Sequence, residues 1–206
     1  MRKYLWAAML VFLAHFLNAQ ILKVDKAELD VDSADFFQGS LNVNFNLNNR
    51  SSTPENDATF IGLKGQADLV YFTTEHAYIL INSLDYFSIS DGPFVSTGYA
   101  HFRINFKRKR PVSVETFTQG QYDDGRNMPV RFLQGAGVKI RIINKESLKA
   151  FFGAGIMWEY EKWKKPDTED SFIEKKLFKN SDYVNFSYTV NEAVNFNSTV
   201  YYQGGF

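Results

Sequence analysis

Residues 41 to 48 read Leu-Asn-Val-Asn-Phe-Asn-Leu-Asn, with an apolar side chain at every odd position and an asparagine at every even one. Successive side chains of a strand point to opposite faces, so this segment can only be a ribbon with one oily and one wet side. The odd set needs a nonaqueous neighbour. Four carboxamides on the other side would be costly in a dry core and suit a hydrated interior. A membrane barrel supplies both environments at once, and the same alternation recurs along the chain.

Residues 1 to 19 carry Arg2 and Lys3, an apolar run from Leu5 to Leu17, and Leu-Asn-Ala before Gln20. That layout predicts a secretory signal peptide cleaved after Ala19. The run is shorter than the roughly 20 residues of a spanning helix, and the leader also contains His15 and Asn18. Cleavage would leave residues 20–206, enough for a single domain. Residues 20–37 are expected to form an N-terminal periplasmic segment and residues 38–206 the barrel domain. With no cysteine in the chain, backbone ladders and packing must hold the fold. Net charge is zero, which gives no electrostatic footprint for nucleic acid. Aromatic residues are 17% of the chain, yet the mean hydropathy is −0.29, as expected when half of each strand faces lipid and half faces water.

Further strands follow the same rule. From Thr59 to Tyr71 the odd positions are mainly apolar and the even ones include Lys64, Gln66 and Asp68. Residues 94–106 oppose Phe94, Ala100, Phe102, Ile104 and Phe106 to Tyr99, His101, Arg103 and Asn105. Residues 112–121 set Val112, Val114 and Thr116 against Ser113, Glu115, Gln119 and Gln121. Residues 131–143 put Ala136, Val138, Ile140 and Ile142 outward and Arg131, Lys139 and Arg141 inward. Leu148, Ala150, Phe152, Ala154, Ile156, Trp158 and Tyr160 form the strongest apolar face, ending in an aromatic pair that, with Trp163 beyond it, reads as an interfacial girdle. Val184, Phe186, Tyr188 and Val190 face Asn185, Ser187 and Thr189, and a last strand runs from about Val194 to Tyr202. Residues 77–87 form a strand whose two faces are both apolar, so its sides stay unassigned.

The joins alternate in length. Long ones are expected at 49–57, 88–93, 122–129 and 162–182, and short ones at 73–76, 107–110, 144–147 and 191–192, the asymmetry of outer-membrane barrels. About nine strands result. Single-chain bacterial barrels have even counts, so either Leu22 to Phe37 hides another strand or the C-terminal end is truncated here; a strand before Gln38 would invert the alternation of join lengths, which favours truncation.

The segments VETFTQGQYDDGRNMPVRFLQGAGVKIRI and LKAFFGAGIMWEYEKW, together with the earlier GSLNVNFNLNNRSS, resemble the salt-induced outer-membrane protein family, a bacterial domain-of-unknown-function family. The resemblance covers most of the mature chain and rests on structural glycines and aromatics. It implies an outer-membrane β-barrel of a Gram-negative cell with ten or twelve strands and no established reaction.

Chemical motifs are sparse. His76 and His101 lie outside any metal-ligand spacing, and Gly135-Ala136-Gly137 sits inside a strand rather than before a helix, so no metal, cofactor or phosphate site is expected. Ser113 and His101 are the one pairing a barrel hydrolase could use. A wall serine and a wall histidine are the more economical reading, and no enzyme is expected. Arg103, Glu115, Arg131, Lys139, Arg141, Glu159 and Glu161 should all project inward, to pair across strands and fill a narrow interior or to line a small pore. Barrels near eight strands are packed shut, so filling is expected. The basic run Lys107 to Arg110 reads as a turn at the membrane border.

The leading expectation is therefore a monomeric, all-β, up-and-down transmembrane barrel with an envelope-structural or small-solute-contact role. Its partners would be outer-membrane lipid and, during biogenesis, the barrel-assembly machinery. The alternative is a soluble periplasmic or secreted β-calyx holding an apolar ligand. The two place the apolar face on opposite sides of the sheet.

Overall fold

The computed structural model describes residues 35–51, 57–90, 92–165, 171–191 and 194–206. The expected leader and most of the N-terminal segment lie outside them. The alternating segments become nine strands: β1 (Phe36–Ser51), β2 (Asp57–Phe72), β3 (Ala77–Ile89), β4 (Gly92–Phe106), β5 (Val112–Asp123), β6 (Met128–Asn144), β7 (Leu148–Lys164), β8 (Phe172–Asn191) and β9 (Val194–Gly205). Each pairs antiparallel with its chain neighbours, giving one sheet in sequence order. Among the described residues the fold is all-β, with one 3₁₀ turn at Asp124–Arg126. β1 begins two residues before the domain boundary drawn from the sequence.

Polarity along the strands falls on the expected sides. Phe45 is 63% exposed and Ile140 38%, whereas Lys139 between Val138 and Ile140 is 3% exposed. Phe102, Val114, Phe152 and Val184 also point outward, while Arg103, Glu115, Glu159 and Asn185 are buried on the concave side. The unassigned strand resolves with its neighbours. Ala77, Ile79 and Ile81 pair with Asn105, Arg103 and His101, so their side chains share the inner face. There they join Phe72 in a small dry cluster flanked by Phe36, Val70 and Tyr99. Both faces of 77–87 are apolar because one meets this cluster and the other is the sheet's exterior.

The join lengths differ from expectation. The 162–182 segment is mostly ladder: β7 continues to Lys164, β8 starts at Phe172, and Glu161 pairs with Lys175 and Trp163 with Ile173. Two flanking strands with alternating charged and apolar residues extend each other's pairing, which polar composition alone disguised as loop. The join after β3 also tightens, with Ser90 at φ 31. Long-above and short-below is therefore far weaker than the sequence suggested. Trp163 takes the inner parity of β7, where its Nε1–H donates to Glu161 at 3.0 Å, rather than extending the outer Trp158–Tyr160 pair.

Glycines set the curvature where strands approach closely. Gly137 pairs with Gly155, and a Cβ on Gly137 would lie 2.6 Å from the Ala154 carbonyl oxygen. Aromatic rings cover others: Phe117 lies over Gly135, Tyr183 over Gly153 and Tyr122 over Gly98. Bare glycine next to a covering ring lets a strand bend without leaving its backbone exposed. The curl brings β8 and β9 side chains to those of β4 and β5 across the interior. Among the described residues no ladder joins β1 to β9, so both are edges. The two run in the same direction, so a direct ladder between them would be parallel in an otherwise antiparallel sheet.

Candidate functional site

The inner face gathers its polar groups into three tiers. In the upper tier Glu159 on β7 lies between two cations. It accepts from Nε of Arg131 on β6 at 2.7 Å and pairs with the ammonium of Lys179 on β8. Arg131 also reaches Glu161 at 3.1 Å. The register explains the cluster, because Arg131 lies opposite Glu161 and Lys179 opposite Met157, all on inward parity. Glu159 is 1% exposed, so two partners offset the cost of burying its charge.

The middle tier crosses the interior. Tyr183 on β8 donates its hydroxyl to Glu115 on β5 at 2.8 Å. Arg103 on β4 hydrogen-bonds to Tyr201 on β9 and stands 5.9 Å from the Phe117 ring centroid. His101 stacks on Phe117, and its Nδ1 lies 3.0 Å from Oε1 of Gln119, whose amide donates to Gln121 at 2.7 Å. That chain requires the Nδ1–H tautomer. A cavity of about 100 Å³ opens between these side chains, with Gly137 and Gly155 in its wall.

In the lower tier Lys139 lies 4.6 Å from the Phe151 ring centroid, a cation–π contact. Arg108, 1% exposed, spans the bottom of the sheet: its guanidinium sits 5.0 Å from the Phe72 ring centroid and donates to the Thr73 carbonyl at 3.1 and 3.2 Å.

Of the seven charges singled out from the sequence, Arg131, Glu159 and Glu161 form one network and Arg103 and Glu115 meet in the middle tier. Lys139 stands lower. Arg141 departs from the cluster: its guanidinium donates to the backbone carbonyls of Lys109 and Arg108, fastening the β4–β5 turn. Lys179, Tyr183 and Tyr201 were missed. Tyr183 continues the inward parity of Asn185 and Ser187, a signal present in the sequence. Lys179 was hidden inside the segment read as loop.

Ser113 and His101 are not neighbours. His101 pairs with Gln119, and Ser113 lies six residues further along β5, roughly 20 Å away at about 3.4 Å per residue. Its hydroxyl is directed at the Lys139 carbonyl, at 3.5 Å.

No family model, curated protein or solved structure matches this chain, so the resemblance to the salt-induced outer-membrane family rests on the quoted segments alone.

Proposed function

We propose that this chain is an integral outer-membrane β-sheet protein of a Gram-negative envelope, without catalysis, whose packed interior serves envelope structure or contact with small solutes. One observation carries the reading: charged side chains are buried on the concave face while large apolar ones cover the convex face, the reverse of a water-soluble β-protein. A soluble calyx would need its apolar set inside.

Dimensions support it. At about 3.3 Å per residue and a tilt near 40°, the shortest strands rise roughly 30 Å, enough to cross an apolar band of about 25 Å. Outward aromatics sit near both strand ends. Tyr71 and Tyr78 stack at the lower end, while Trp158 stacks on Tyr160 at the upper end and meets Phe132 edge-on. Such rings favour the two interfaces of a bilayer. The crossings Tyr183–Glu115 and Arg103–Tyr201 favour a filled interior over a wide channel.

The test is partition of the refolded chain between buffer and phospholipid vesicles. Stable flotation with the vesicles, with strand content retained, is expected. A folded monomer that stays in buffer without detergent would favour the calyx.

A further inference from the structure

We infer that the upper convex face of β7 and β8 is a binding site for the phosphomonoester head group of a membrane lipid, held by Lys162, Lys164 and Lys176. The inference goes beyond the proposed function in naming a lipid class, and it rests on that reading's assignment of the convex face to the bilayer.

Cations are rare on this face. Among the described residues, every lysine or arginine at an outward strand position is one of these three. The outward positions of β3 to β6 and of β9 carry no charge. Register gathers the lysines: Lys176 lies opposite Tyr160, Lys162 opposite Glu174 and Lys164 opposite Phe172, just above the Trp158–Phe178 pair. Their charge is not met by protein. Lys162 Nζ sits 4.0 Å from the Phe172 ring centroid and Lys176 Nζ 5.7 Å from that of Tyr160. Glu174 instead accepts the Tyr160 hydroxyl. No ion pair of the three lysines occurs among the described residues. Asp182, the other outward carboxylate of β8, lies lower and accepts from Asn180 at 2.8 Å.

Depth selects the ligand. Two residues rise about 5 Å along a strand tilted near 40°. Lys176 and Lys162 therefore stand roughly 5 and 10 Å above Trp158, where head groups extend about 5–7 Å beyond the hydrocarbon. A lysine stem can lie along the rings while its ammonium stays in that layer. Charge selects further. Three ammoniums against one carboxylate leave two positive charges, which match a phosphomonoester of about −2 better than a singly charged diester. Below them, Phe178 is 61% exposed and offers the acyl chains an apolar bed beside Trp158. A lysine at a membrane surface strengthens attraction to an anionic lipid by about fivefold.

The experiment is quenching of Trp158 emission in the full chain, inserted in phosphatidylcholine vesicles, by lipids with dibrominated acyl chains. The signal absent from Trp158→Phe isolates that residue. Phosphatidic acid, phosphatidylglycerol and phosphatidylcholine are compared at one mole fraction. Phosphatidic acid should be enriched around Trp158 at least about fivefold over phosphatidylcholine, and clearly over phosphatidylglycerol. Lys162→Gln with Lys176→Gln should abolish the enrichment, and Glu174→Gln should raise it. Equal quenching by phosphatidic acid and phosphatidylglycerol would overturn the inference, since the face would then read charge without the monoester. Reversal by inorganic phosphate at constant ionic strength would overturn it too, because free phosphate would suffice. These comparisons use the unaltered site, so they decide the matter even if a lysine variant fails to fold. A chain that stays in buffer, unquenched by any brominated lipid, would sink the membrane reading and this site with it; vesicle-inserted protein quenched equally by all three lipids would sink the site alone.

Discussion

The hydroxyl of Tyr183 on β8 reaches Glu115 on β5, 2.8 Å away and three strands distant in the sheet. Only a strongly coiled sheet permits that contact. Tyr183→Phe keeps the ring over Gly153 and removes the donor, so it should cost about 1–3 kcal/mol, the range for taking a hydrogen bond from a buried charged acceptor. Urea unfolding in vesicles, followed by tryptophan emission, measures it. Glu115→Gln retains an acceptor for Tyr183 but takes the opposing charge from the buried Arg103, so it should cost more, about 3–5 kcal/mol.

Glycine positions give a graded series. Gly153→Ala places a methyl into the Tyr183 ring and Gly137→Ala presses one on the Ala154 carbonyl, so each should destabilise by about 1–3 kcal/mol. Gly120 has nothing within 4 Å of a built Cβ. Gly120→Ala should therefore stay within about 0.5 kcal/mol of the parent. Equal effects at all three positions would deny close approach at β6–β7.

Glu159 is held by Arg131 and Lys179 on two neighbouring strands. Glu159→Ala leaves two cations without their shared carboxylate and should cost about 3–5 kcal/mol. A quadruple change, Arg131→Met with Glu159→Leu, Glu161→Gln and Lys179→Met, should recover much of that loss, because it removes the buried charges of the network together. Chemical denaturation of the three proteins in the same vesicles checks the ordering.

At the lower end, Arg108→Lys retains the charge and loses the planar group that both covers Phe72 and donates twice to Thr73. A loss of about 1–2 kcal/mol is expected. Faster hydrogen exchange at the 73–76 turn should accompany it, with the β6–β7 ladder unaffected.

Strand phase was the legible part of this fold, because the alternation at 41–48 or 136–142 leaves one arrangement of faces. The sides of 77–87 were not legible. Its inner residues Ile79 and Ile81 meet a dry cluster with Phe72 and Ala77, flanked by side chains of β1, β2 and β4, so both faces carry the same chemistry. Charged residues beyond Lys162, such as Glu174 and Lys175, resembled a loop because their partners, Lys162 and Glu161, lie on the facing strand and supply the pairing. Arg141 had the parity of the charge cluster but sits within reach of the turn carbonyls at Arg108 and Lys109. The cross-interior pairs depend on sheet coiling, which local pattern does not encode.

Single-cysteine spin labelling along β6 tests the lipid-facing assignment most directly, and the absence of native cysteine makes it clean. With the labelled chain in phospholipid vesicles, labels at Val138→Cys and Ile140→Cys should collide readily with dissolved oxygen and poorly with a water-soluble nickel chelate. A label at Lys139→Cys should show low oxygen contact. Uniform exposure of all three to the nickel chelate would contradict a bilayer around the convex face.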